Sequence, residues 1–209
     1  MITKQRFYFS LVFLLSVLAS CSKSTGGTNL LDQIKDDAFK KYCLWSMDIN
    51  EDGVLSEEEV QPITCIMLSG KEKITEGGVK TVEGIEIFKR LTDDFITNNP
   101  ELKTIDLSKN TRLVQAFLWN NSGLKNVNFS GCVALERVEI DGSLIEVIDL
   151  SNSPELEFFQ FPDCTALREI IISSVQEQRR HTPHPNAPEN MILQFVTNMD
   201  MSKIKITVK

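Results

Sequence analysis

Large apolar residues recur along this chain at a nearly fixed interval. They stand at Leu91, Leu102, Leu113, Leu124, Leu135, Ile145, Leu156 and Leu167, eleven residues apart at every step but one, where the interval is ten. Inside each unit the offsets repeat. Three residues on come Ile105, Ala116, Val127, Val138, Ile148, Phe159 and Ile170; five on come Ile96, Leu107, Leu118, Phe129, Ile140, Leu150, Phe161 and Ile172. Eight on stands an asparagine or another small residue: Asn99, Asn110, Asn121, Cys132, Ser143, Ser153 and Cys164. Apolar residues at the first, fourth and sixth places turn one side of each short segment toward a core. Tiled without a gap, such units predict a solenoid whose turns pack only on their neighbours.

The unit L-x-x-L-x-L-x-x-N/C is the leucine-rich repeat signature. Eleven residues are too few for a strand plus a helix, so two units are expected to make one coil of about 22 residues. The expected fold is a mostly β α/β solenoid, a right-handed leucine-rich repeat superhelix spanning residues 63–175. Units opening at Leu102, Leu124, Ile145 and Leu167 then share one side, and those at Leu91, Leu113, Leu135 and Leu156 the other. The first set carries serine at its seventh place every time (Ser108, Ser130, Ser151, Ser173), which reads as a structural ladder satisfying turn backbone. The second set carries Thr97, Trp119, Asp141 and Pro162 there. It also places Phe95, Phe117 and Phe158 on an outward strand face, where with Trp119 they are candidate ligand-binding residues. The competing reading makes this the convex side, with the rings covered by a cap or by the C-terminal tail.

The first 21 residues are read as an export signal. Lys4 and Arg6 form its basic start, residues 7–18 its apolar stretch, and Leu18-Ala19-Ser20-Cys21 its end. This end resembles a bacterial lipobox, which implies cleavage before Cys21 and lipidation of its thiol; the alternatives are an ordinary secretory peptide cut nearby and a retained anchor. Residues 22–30 read as a flexible tether. Removing Lys4 and Arg6 leaves 20 basic against 29 acidic residues, a net charge of about −9. Such a balance disfavours nucleic acid and anionic lipid surfaces as partners, since both reward Lys and Arg. Membrane attachment is therefore expected through the lipid alone.

Residues 31–47 read as an amphipathic helix, with Ile34, Phe39, Tyr42 and Cys43 at near-helical spacing. Next comes Asp48-Ile-Asn50-Glu-Asp52-Gly53-Val54-Leu55-Ser56-Glu-Glu-Glu59. It meets every position of the EF-hand calcium loop, with oxygen donors at places one, three, five, seven, nine and twelve and glycine at six. The expected Ca²⁺ ligands are Asp48, Asn50, Asp52, the Val54 carbonyl, Ser56 and Glu59, while Leu55 points into the core. No second loop is found, so a structural clamp is expected rather than a sensor. The competing reading is an acidic helix–turn–helix that caps the solenoid without metal. Residues 31–62 form this cap.

After residue 175 the repeat fails. Residues 176–190 are polar with three prolines and read as a loop; residues 191–196 and 203–208 read as strands that close the solenoid in a C-terminal β cap over residues 176–209. His181 and His184 fall in the loop and are expected to be solvated. Cys132 and Cys164 are expected as free buried thiols, and the pairing of Cys43 with Cys65 stays open. No nucleophile has a base placed by a recognisable motif, and Glu136, Glu139 and Glu157 read as solvated outward charges.

The lipobox, the stretch FKKYCLWSMDINEDGVLSEEEV, then VKTVEGIEIF and repeats of the form LKTIDLSKN together resemble the leucine-rich repeat surface lipoproteins of Bacteroides-type bacteria. The resemblance runs to about residue 174. It implies a short, curved solenoid displayed at the bacterial outer membrane or cell surface, without catalytic activity, and supplies a class rather than a partner. The function expected of the chain is that of a monomeric module binding an extracellular protein or glycan. An accessory subunit of an envelope complex is the alternative, and a glycan-active enzyme a more distant one.

Overall fold

A computed structural model describes residues 28–181, 183–184, 187–191, 194–196 and 201–209. The expected signal segment and Cys21 lie outside the described residues. In chain order come α1 (Asp37–Met47), the single turn α2 (Glu57–Val60), β1 (Cys65–Ser69), β2 (Asp93–Thr97), β3 (Thr104–Asp106), β4 (Gln115–Trp119), β5 (Asn126–Asn128), β6 (Arg137–Asp141), β7 (Val147–Asp149), β8 (Phe158–Gln160) and β9 (Glu169–Ile172). α3 (Ser174–Arg180), β10 (Pro183–His184), β11 (Ala187–Met191), β12 (Gln194–Val196) and β13 (Lys205–Val208) follow.

The strands alternate between two faces of a β-rich solenoid. One face is a six-stranded sheet in the order β1-β2-β4-β6-β8-β12; β3-β5 and β7-β9-β13 run along the other. Every pairing in these three sheets is parallel. Asp93 pairs with Gln115 and Gln115 with Arg137, 22 residues apart each time. Arg137 then pairs with Phe158, 21 residues on, because the unit opening at Leu135 is one residue short. The first, fourth and sixth places are the core: Leu113, Ala116, Leu118, Leu135, Val138 and Ile140 are all fully buried.

Two kinds of turn explain why the rows differ. After β2, β4, β6 and β8 the backbone turns through left-handed residues: Asn98 (φ 58°), Asn120 (56°), Gly142 (61°) and Asp163 (53°). Asn, Asp and Gly are the residues that enter this region at least cost. There the N–H groups of Asn98, Asn120 and Gly142 donate to carbonyls of the next coil, at Trp119, Asp141 and Pro162. After β3, β5 and β7 the turn is closed instead by a side chain two residues upstream. The N–H groups of Ser108, Ser130 and Ser151 donate to the side-chain oxygens of Asp106, Asn128 and Asp149 at 2.9–3.0 Å. The serine column thus marks Asx turns. The backbone N–H is what recurs, more than a hydroxyl ladder between coils.

The ninth-place residues bind inward. Asn121 accepts the Asn99 N–H (3.0 Å) and donates to the Ile96 carbonyl (2.7 Å). Cys132 donates through its thiol to Leu107 and Cys164 to Ile140. All four described cysteines are free, including Cys43, which is buried, and Cys65, which is exposed. Burial pushes the Cys132 thiol up to about 12.

Two segments depart from expectation. The helix at the N-terminal end starts at Asp37, not at residue 31. Asp36 caps it through the Ala38 and Phe39 N–H groups, and a 3-10 turn (Leu30–Gln33) precedes it. At the other end, residues 174–180 are helical rather than loop. Ser173 and Gln176 form a capping box, and the Gln176 amide donates to the Leu150 and Ser153 carbonyls, where the next ladder residue belongs. His181 ends this helix against Glu177 (3.1 Å). β12 then pairs with β8 and β13 with β9, one added strand on each face.

Candidate functional site

The long strands β2, β4 and β6 set alternate side chains on the outer face of the six-stranded sheet, and the parallel register aligns them in rows. The middle row reads Met67, Phe95, Phe117, Glu139 and Gln160. Phe95 and Phe117 stack with centroids 4.6 Å apart and planes 10° from parallel. Trp119 meets both rings in T-shaped edge contacts, at 5.3 Å from Phe117 and 6.5 Å from Phe95. Parallel strands at fixed spacing hold such side chains like rungs, which is why these rings meet across 22 residues of sequence.

Phe158 joins the cluster through a residue the sequence reading passed over. The Arg137 guanidinium lies 4.3 Å from the Phe158 ring centre and 5.8 Å from that of Phe117. It also holds Glu139, with Nε donating at 2.6 Å and Nη2 in an ion pair to the same oxygen. Gln160 donates to the other Glu139 oxygen at 2.7 Å. Glu139, expected as a solvated outward charge, is only 5% exposed as a result. Glu136 and Glu157 are exposed.

The four aromatic candidates therefore come together, in unequal roles. Phe95, Trp119 and Phe158 are half-buried, whereas Phe117 is only 8% exposed. Phe117 is the spine of the cluster; Trp119, Phe95 and the 63%-exposed Met67 offer its contact surface.

Beneath this face lies Asp94, at a place where the neighbouring units carry Ala116, Val138 and Phe159. It is fully buried, and one oxygen accepts the Phe117 N–H at 3.3 Å while the other has no hydrogen-bond partner among the described residues. Burial pushes its carboxyl up to about 8, with a further push from Asp93. A charged residue at a fourth place is itself the signal that could have found it.

The second candidate is the acidic loop after α1. Gly53 takes φ +80° with open space around it, as the expected sharp turn requires. Asp48 accepts the Asp52 and Gly53 N–H groups (3.2 and 3.0 Å), Asn50 that of Asp52 (3.0 Å), and Asp52 that of Val54 (2.8 Å). Glu59 reaches back to the Ile49 N–H (2.8 Å) and to the Ser56 N–H and hydroxyl (3.0 and 2.9 Å). Burial works to raise the Glu59 carboxyl, but the bonds from Ser56, then Ile49 and Asn50, hold it below the usual carboxylate range. Ser56 and Glu59 also form the capping box of α2.

Among the described residues, no group of three or more His, Cys, Asp or Glu side chains is arranged to hold a metal. The expected donors share one loop yet turn to its backbone N–H groups. Each carboxylate keeps lone pairs beyond those used, so the donor chemistry fits a hard cation. Leu55 is buried; its N–H donates to the Asn29 side chain (3.1 Å) and its carbonyl accepts from the Leu30 N–H (2.9 Å). The chain just before α1 thus braces the acidic loop.

No protein-family model matches the chain, and neither does any curated protein. Similar solved structures include the internalin InlF of Listeria monocytogenes, 12% identical over 90% of this chain and 72% of that one, with a TM-score of 0.34. The functional domain of InlJ from the same species, described as including a cysteine ladder, is 16% identical over 87% of this chain and 48% of that one, TM-score 0.43. Internalin C2, also from Listeria monocytogenes, is 14% identical over 90% and 100%, TM-score 0.29. At these values nothing about ligand or activity is carried across from them.

Proposed function

We propose that this chain is a non-catalytic leucine-rich repeat module that binds an extracellular protein or glycan through the outer face of its six-stranded sheet. The observation that carries this reading is the aligned cluster of Met67, Phe95, Phe117 and Trp119, half open to solvent beside the Arg137–Glu139–Gln160 network. An apolar centre rimmed by polar groups is the anatomy of a binding surface. The module is a right-handed superhelix of about 22 residues per coil, with a helical cap at its start and added strands at its end. It acts as a monomer, exported and held at the outer membrane or cell surface by a lipid on Cys21.

Arrays of extracellular proteins and oligosaccharides test the face. Trp119→Ala should lose at least about tenfold in affinity for whatever the native chain retains, as removal of an aromatic anchor does. Asn126→Ala, on the other side, should bind normally. Equal binding by both variants would refute this assignment.

Calcium belongs to the same proposal as a clamp. Asp48, Asn50, Asp52, the Val54 carbonyl, Ser56 and Glu59 would hold it, and it would neutralise a loop of clustered carboxylates. The support is the order of oxygen donors around Gly53. Millimolar calcium should raise the unfolding temperature, in line with about 2.7 kcal/mol of stabilisation at a hundredfold excess over Kd, and Glu59→Gln should abolish that response. A native chain whose melting ignores calcium would leave the loop as the metal-free capping turn.

A further inference from the structure

We infer that the outer face of the six-stranded sheet takes a basic polypeptide segment with an apolar centre, and not a glycan. This rests on the reading of that face as the recognition surface. Three observations point the same way, and the first concerns the ring faces. A sugar docks on an aromatic ring by laying its C–H groups on the flat face, where the π density lies. Phe95 and Phe117 turn a face to each other at 4.6 Å and 10°. Arg137 covers Phe158 and approaches Phe117. The row Phe95–Phe117–Arg137–Phe158 is thus stacked on itself, and edges and aliphatic groups are what it presents outward.

The second observation extends that row. Met67 is in register with Phe95 on the edge strand β1 and is 63% exposed. A thioether chain adapts its shape to apolar side chains of a partner and offers a sugar hydroxyl little. Tyr42 holds this strand in place, its hydroxyl accepting the Met67 N–H at 2.9 Å, so the row ends on a fixed edge.

The third is charge. The outward places of β2, β4, β6 and β8 carry one cation, Arg137, and it is engaged with Glu139. Asp93 lies at one side of the aromatic row and Asp141 at the other, with Asp163 near enough to Asp141 to add to the burial that raises its carboxyl. None of these three aspartates is ion-paired with a lysine or arginine among the described residues. An apolar strip between uncompensated carboxylates is complementary to apolar side chains flanked by lysine or arginine.

The test uses the full chain against synthetic peptides sharing one Leu/Phe core with lysine, glutamate or serine flanks, and against an oligosaccharide array. The lysine-flanked peptide should bind at least about tenfold tighter than the glutamate-flanked one at low salt, with the gap closing at high salt. Asp93→Asn/Asp141→Asn should narrow the gap while the unfolding temperature stays put. An oligosaccharide whose binding Trp119→Ala abolishes would overturn the inference and leave the recognition face standing. If no peptide or sugar shows binding that Trp119→Ala alters, both fall.

Discussion

Replacing Asp94 with asparagine should make this protein more stable at neutral and alkaline pH, and should remove most of the pH dependence between about 4 and 8. Asp94 is fully buried, one of its oxygens has no partner among the described residues, and burial pushes its carboxyl up to about 8. In the unfolded chain it ionises near about 3.9. Between those values the unfolded state gives up a proton that the folded state keeps. Stability therefore falls as pH rises, by up to about 1.4 kcal/mol per pH unit, and levels off above about 8. Acid works the other way through groups such as Glu177, held down to about 2 by Arg180, so the comparison with Asp94→Asn is what isolates the aspartate. Urea unfolding of both proteins at several pH values measures it. Parallel stability curves for the two would mean that Asp94 is hydrated or paired when folded.

Phe117→Ala should be the costliest change on the outer face. A ring 8% exposed, stacked on Phe95, edged by Trp119 and approached by Arg137, behaves as core wherever it points. Its loss should cost about 3 kcal/mol and lower the denaturation midpoint accordingly. Trp119→Ala, at a half-buried position, should cost about 1 kcal/mol or less and reveal itself in binding instead. Equal, small losses from both substitutions would show that the stacked spine does not exist in solution. The contrast matters for any binding test, since a Phe117 variant confounds unfolding with lost contacts.

Much of this was legible in the sequence because side-chain direction follows spacing. With inward places fixed at one, four and six, the outward places follow, and spacing alone puts Phe95, Phe117 and Trp119 on one face. What spacing does not carry is which outward neighbours touch. Arg137 was invisible as the bridge to Phe158 because that contact crosses the short unit, where the register drops from 22 to 21 residues. Glu139 read as solvated because its burial comes from partners on its own and the next strand, Arg137 and Gln160. The helix α3 hid behind polar, proline-rich surroundings, although Ser173 and Gln176 three residues later spell a capping box. Asp94 is the reverse case: a charged residue at a fourth place breaks the apolar pattern in plain view of the sequence. The acidic loop was legible as a donor list. The turning of those donors onto backbone N–H groups is a matter of local geometry that residue order does not specify.

Hydroxyl-radical footprinting of the native chain with a bound ligand tests the central claim most directly, because methionine and tryptophan report by oxidation and both occur where they are needed. Met67 and Trp119 sit on the outer face of the six-stranded sheet, and Trp45, 54% exposed on α1, serves as the reference. If the sheet face is the recognition surface, ligand should protect Met67 and Trp119 and leave Trp45 oxidising at its free rate. Protection of Trp45 alone, with Met67 and Trp119 unchanged at saturating ligand, would contradict it.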